Sequence, residues 1–290
     1  MQYFAKSNWS ENRIKEKLSR GADGIEIQLL NPETDNFYKD NWKDYVYIKS
    51  SKIKAVHFPL LKEEDFSIES IKCQKIFNKT IERIEKISKI LEEKIYVIIH
   101  IEETVRTLKK IGLYDNLVLF MQKTADDYKN LIFVIENTTT HVLMQPLSNV
   151  IFVKDINKEN VLTCLDTCHA YITQNLLYSI TNEKFNDGIS IISIHDFFEN
   201  NKDVCGLIHL CGAANYGDGF GRGKGHGIAF NGIADPQLNE IYNLYKEYNY
   251  KCPLTIEVRE DSYDDDTYSY NFEDTLKYAK ELEKRKQINK

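Results

Sequence analysis

Six apolar, β-branched stretches of the chain carry a histidine, aspartate or glutamate at or next to their C-terminal end. They are His57 in KAVHF (54–58), His100 in IYVIIHI (95–101) and Glu136 in LIFVIE (131–136), then Asp166 in VLTCLD (161–166), His209 in LIHL (207–210) and Glu257 in LTIEV (254–258). His169 follows Asp166 by three residues, in LDTCHAY. Such stretches read as short strands buried on both faces, and these should be apolar to their ends. One exception is ordinarily a hydrogen-bonded core group. Six in succession need another account, because an ionisable group buried without a partner costs on the order of several kcal/mol. A shared metal ion is the simplest partner. Imidazoles and carboxylates without a thiol suit zinc, manganese, cobalt or iron.

The elements that carry these residues alternate. A further strand is expected over Gly24–Leu29 (GIEIQL), and the N-terminal Gln2–Ala5 supplies an eighth. Helical periodicity runs through Asn12–Ser19, Ser67–Glu92, Val105–Ile111, Asn116–Tyr128, Ala170–Tyr178, Gln237–Glu247 and Phe272–Leu282. Regular strand–helix alternation predicts a closed (β/α)8 TIM barrel or an open doubly wound sheet. No G-x-G-x-x-G follows an early strand, which disfavours the dinucleotide-binding form of the open sheet. In a barrel, the strand ends converge on one face. The chain is read as a single domain over residues 1–290, with no linker-like composition to divide it.

Composition limits the partners. A net charge of −6 gives no general attraction for phosphate polymers. The start, MQYFAKSNWS, has no basic segment followed by an apolar run, so no signal peptide is expected, and no apolar run is long enough for a membrane span. Six cysteines without paired C-x-x-C spacing suggest reduced thiols in a cytoplasmic protein. Cys164 and Cys168 are read as small buried side chains near the site. A homo-oligomer is compatible with a barrel of this size, and no apolar stripe in the sequence marks its interface.

Taken in order, VHFPL, VIIH, FVIENT, CLDTCHAY, IHL, a glycine-rich loop with GHG, and LTIEV resemble the xylose isomerase-like TIM barrels. That superfamily holds sugar isomerases and epimerases as well as the endonuclease IV class of DNA-repair enzymes (AP endonuclease family 2). The resemblance runs from DGIEIQL at 23–29 to LTIEV at 254–258. It implies a metal quartet of Glu136, Asp166, His209 and Glu257. In the isomerases and epimerases the two glutamates also move protons at a metal-bound hydroxy-ketone. His57 and His100 would hold a second metal or contact substrate hydroxyls. His169 and His226 match the histidines of a third zinc site in the repair enzymes, but Lys224 stands where the aspartate of that site belongs. The acidic run EDSYDDDTYSY (260–270) follows the last strand and would repel a DNA backbone.

The loop GDGFGRGKGHG (217–227) has glycine at every second position. Its place after the His209 strand predicts a flap on the active-site face that brings His226 near the metal. Arg222 and Lys224 are candidates to meet an anionic group such as a sugar phosphate, against the alternative of a solvated loop. His195 and Asp196, in SIISIHDFFEN, are read as structural.

The expectation is a metal-dependent sugar or sugar-phosphate isomerase or epimerase. It would use one or two divalent ions, zinc or manganese, on a small sugar-like substrate. One alternative is a zinc phosphodiesterase acting at abasic DNA. The other is a non-catalytic relative that binds a metal or a sugar.

Overall fold

The computed structural model describes residues 1–59, 71–101, 103–138, 147–182, 192–213, 226–259 and 270–288. Eight parallel strands close into a barrel. They are β1 (Tyr3–Ser7), β2 (Gly24–Gln28), β3 (Ile53–His57), β4 (Ile95–His100), β5 (Leu131–Glu136), β6 (Val161–Asp166), β7 (Cys205–Leu210) and β10 (Leu254–Ile256). β10 pairs with β7 on one side and β1 on the other. A short antiparallel pair, β8 (Gly212–Ala213) and β9 (His226–Ile228), follows β7.

The helices are α1 (Glu11–Ser19), α2 (Ile71–Leu91), α3 (Val105–Lys110), α4 (Tyr114–Asp127), α5 (Ser148–Ile156), α6 (Thr167–Asn182), α7 (Ile194–Asn201), α8 (Pro236–Glu247) and α9 (Tyr270–Ile288). This is the α/β TIM barrel expected from the alternation. Local chemistry starts several of the helices. Thr104 caps α3 through the Thr107 N–H, Ser193 and Asp196 form a capping box at α7, and Asp235 caps α8 ahead of Pro236. Among the described residues, no helix is long and apolar enough to cross a membrane.

Strand parity builds the interior. Phe4, Ala55, Ile98, Val134, Cys164 and Leu207, one from each of six strands, pack together inside the barrel. Their sequence neighbours, including Ala5, Val56, Val97, Ile99, Phe133, Ile135, Leu165 and Ile208, belong to the larger core beneath the helices. Side chains alternate along a strand, so the residue two positions further on also points inward. From Phe4, Ala55, Ile98, Val134, Cys164 and Leu207, that step reaches Lys6, His57, His100, Glu136, Asp166 and His209. The polar layer at the barrel mouth is the apolar layer advanced by one step.

The structure departs from the sequence reading in a few places. β1 runs to Ser7 rather than ending at Ala5, which adds Lys6 to the barrel. Glu257 lies one residue beyond β10 rather than on it. α5 and α7 lie outside the helices expected from the sequence, although Ile194, Phe197 and Phe198 give α7 a helical period. The first is buried on most sides, with Lys154 and Asp155 exposed, and the second lies in the segment read as structural. There, Asp196 completes the capping box, and half-exposed His195 lies against Tyr248 and Glu247.

Candidate metal centre

His209 is fully buried at the end of β7, between carboxylates on both sides of its ring. Its Nδ1 lies 2.9 Å from Glu257 Oε2, 3.4 Å from Glu136 Oε2 and 3.6 Å from Asp166 Oδ2. It makes no aligned hydrogen bond to any of them. Three acceptor groups facing one nitrogen fit a cation held between them far better than they fit one another. Its Nε2 lies 3.1 Å from Glu26 Oε2.

A second group forms around Glu136. His57 Nε2 is 3.2 Å and His100 Nε2 3.1 Å from Glu136 Oε2, and His169 Nδ1 is 3.3 Å from Glu136 Oε1. His57 Nδ1 is 2.8 Å from the Phe58 carbonyl, an acceptor that favours the Nδ1–H tautomer and leaves Nε2 turned toward Glu136. His169 Nδ1 is 2.8 Å from the Asn137 carbonyl, and its backbone N–H donates to Asp166 Oδ1 at 2.6 Å. Asn137 donates to the Asp166 carbonyl and accepts from the Asp166 N–H, tying β5 to β6 at the rim. The sets His57/His100/Glu136, Glu136/Asp166/His169 and Glu26/His209/Glu257 each present ligand atoms within 4.8 Å of one another.

The charges in this cluster depend on one another. Burial works against the ionised form of Glu136, but His100 and His209 outweigh it and hold the carboxyl well below its usual range. Burial also opposes a proton on His169. Asp166 and Glu136 prevail, and its pKa rises to about 10. His209 moves the same way under its carboxylates. His57 moves down, because burial and the Lys6 charge both disfavour its protonated form.

No protein-family model matches the sequence, and no curated protein matches it. Solved structures do match the fold. D-allulose 3-epimerase from Methylomonas sp., in complex with D-allulose, superposes with a TM-score of 0.60 at 14% identity, over 99% of this chain and 96% of that one. 3-Keto-D-glucoside 4-epimerase from E. coli gives 0.59 at 14% identity, over 97% and 99%. A xylose isomerase-like TIM barrel/4-hydroxyphenylpyruvate dioxygenase fusion protein gives 0.63 at 14% identity, over 100% of this chain and 43% of that one. The chain shares the (β/α)8 barrel fold of these proteins.

In this barrel, seven residues singled out in the sequence meet at one mouth: His57, His100, Glu136, Asp166, His169, His209 and Glu257. Arg222 and Lys224, with most of the glycine loop and the acidic run at 260–269, lie outside the described residues. His226 opens β9, where Ala213 pairs with it. Gly227 has a φ of +72°, and its carbonyl accepts from Arg259 N–H at 2.7 Å. A Cβ at 227 would lie 3.3 Å from the Glu257 carbonyl, so the hairpin rests against the segment that carries Glu257.

Two charged members of the mouth have no site role assigned from the sequence. Lys6 Nζ lies 2.6 Å from Glu257 Oε1 and 3.5 Å from Glu26 Oε1, and Glu26 is fully buried. Parity would have found Lys6, two residues after the inward Phe4. Glu26 sits mid-strand, in GIEIQ, where no rule about strand ends draws attention to it.

Proposed function

We propose that this barrel is a divalent-metal-dependent sugar isomerase or epimerase. The observation that carries the reading is the convergence of Glu136, Asp166 and Glu257 on His209 Nδ1 within 3.6 Å. Those four residues would hold the ion, with zinc and manganese the best matches to their donor set. When bound, a divalent ion supplies Lewis acidity toward the oxygens of a hydroxy-ketone.

The protein's own part is proton transfer. Glu136 and Glu257 lie on either side of His209, one at the end of β5 and the other just beyond β10. Two carboxylates facing one carbon allow inversion when one is ionised and the other protonated: the first takes the C–H proton beside the carbonyl, and the second gives its own proton to the opposite face. His100 and His209 beside Glu136 favour the ionised form that a base requires, and Lys6 Nζ lies 2.6 Å from Glu257 Oε1. The substrate class follows the neighbours, whose names specify epimerisation of D-allulose and of a 3-keto-glucoside. A small ketose or keto-sugar is proposed here. The chain acts as one domain in this reading.

The test is a pair of measurements on purified protein. Metal content is determined by elemental analysis, and a ketose panel is incubated in D2O and followed by NMR. Bound divalent metal, with deuterium entering at a carbon beside the carbonyl, is the expected result. A metal-free protein after supplementation, or metal without exchange on any ketose, would refute the reading. The second result would leave a non-catalytic binder.

One observation favours a second reading. His57 and His100 both approach a single oxygen of Glu136, as a dinuclear phosphodiesterase would need. Two or three zinc ions per chain and cleavage of an abasic-site duplex would select it.

A further inference from the structure

Four charged groups at the mouth form a closed ring. Lys6 Nζ meets Glu26 Oε1 at 3.5 Å, and Glu26 Oε2 meets His209 Nε2 at 3.1 Å. His209 Nδ1 meets Glu257 Oε2 at 2.9 Å, and Glu257 Oε1 returns to Lys6 at 2.6 Å. Lys6 and Glu26 are register partners on β1 and β2, while His209 reaches in from β7, two strands further round. The side chain of Glu26 is 0% exposed, so it cannot touch a substrate. It touches the back of His209, away from the three carboxylates.

A neutral imidazole carries one N–H. If Nε2 holds that proton, Nδ1 offers its lone pair toward Glu136, Asp166 and Glu257. A carboxylate behind a metal-binding histidine selects the tautomer in this way, orients the ring and raises its basicity. We propose that Glu26, backed by Lys6, is a positioning residue of the metal centre that commits His209 to bind through Nδ1. The proposal rests on the metal-centre reading above. It adds an explanation for the buried Glu26 and for Lys6. Without the lysine, one more uncompensated carboxylate would lie in the cluster.

The experiment uses zinc as the probe, with affinity measured by chelator competition for wild type, Glu26→Leu and Glu26→Gln. The leucine variant should bind zinc about 10- to 100-fold more weakly. The glutamine variant should recover most of that loss, because its amide oxygen still accepts from Nε2–H. Long-range imidazole 1H–15N spectra of the zinc-loaded wild type should show His209 protonated at Nε2 with the ion on Nδ1. This measurement decides the matter even where a variant fails to fold. A folded Glu26→Leu protein with wild-type zinc affinity, or a His209 protonated at Nδ1, would overturn the proposal alone. A wild type that binds no zinc and no other divalent ion would overturn it together with the metal-centre reading.

Discussion

On the β3–β5 side of the mouth, two imidazoles, His57 and His100, surround one carboxylate, Glu136. On the β10–β1–β2 side, two carboxylates, Glu257 and Glu26, surround one ammonium, Lys6. His209 stands between the two sides and contacts both. On the first side the groups facing Glu136 are imidazoles, which can give up a proton. Its histidines can present neutral nitrogen donors, and His57 is held in that form by burial and by Lys6. The second side carries its own positive charge. Under the proposed metal-centre reading, a divalent ion would be accommodated most easily where the carboxylates of both sides meet His209 Nδ1, and less easily next to Lys6, where like charges repel.

The largest effect should come from removing the residue both groups of histidines share. Glu136→Gln takes away a proposed ligand and a proposed base, and turnover should fall by about 10^3-fold along with metal content. Retention of both would break the assignment of the first side. Lys6→Met tests the second side through stability. It leaves fully buried Glu26 without its ammonium, which should cost about 3 kcal/mol in urea denaturation. An unchanged midpoint would mean that the ring of charges is incidental.

Proton release tells the sides apart without mutation. In the metal-free protein, His169 keeps its proton to a pKa of about 10, whereas His57 is already neutral near pH 7. Ligands must lose their protons to bind metal, so apparent affinity should rise with pH from 6 to 8, by up to about tenfold per unit for each proton displaced. Calorimetry in buffers of different ionisation enthalpy counts those protons. A pH-independent affinity would exclude His169 and His209 from the centre. A smaller effect is expected for His57→Ala. Under the isomerase reading, metal content stays the same and KM rises by about tenfold, the equivalent of one hydrogen bond to a charged or polar group. Loss of one metal equivalent would instead give His57 a metal of its own. Gly227→Ala is the mildest change, about 1 kcal/mol of backbone strain at a φ of +72°. Most of its effect should appear in turnover rather than in stability, because the strained segment packs on Glu257.

Much of this was legible in the chain itself. Apolar runs of β-branched residues announced the strands, and five of the six mouth residues found that way sit on the strands expected to carry them. Asp166 and Glu136 end their strands at the expected residue. Asp196, read as structural, has a local use, because S-x-x-D caps a helix start. α5 escaped notice because a helix buried on most sides loses the polar stripe that makes a period visible. Lys6 escaped because the first strand is short and its reading stopped one residue too early.

The sequence alone determined the alternation, the ionisable strand ends and therefore the kind of chemistry a shared mouth could support, since periodicity and residue type are local properties. Only the tertiary structure decided which groups face one another. Lys6 and Glu257 are separated by nearly the whole chain, yet barrel closure makes β1 and β10 neighbours and brings the two side chains to 2.6 Å. Glu26 looks like an ordinary strand residue until the closed barrel sets it behind His209. Which carboxylate binds, which supports and which is neutralised depends on distances across the barrel, and no local pattern encodes those distances.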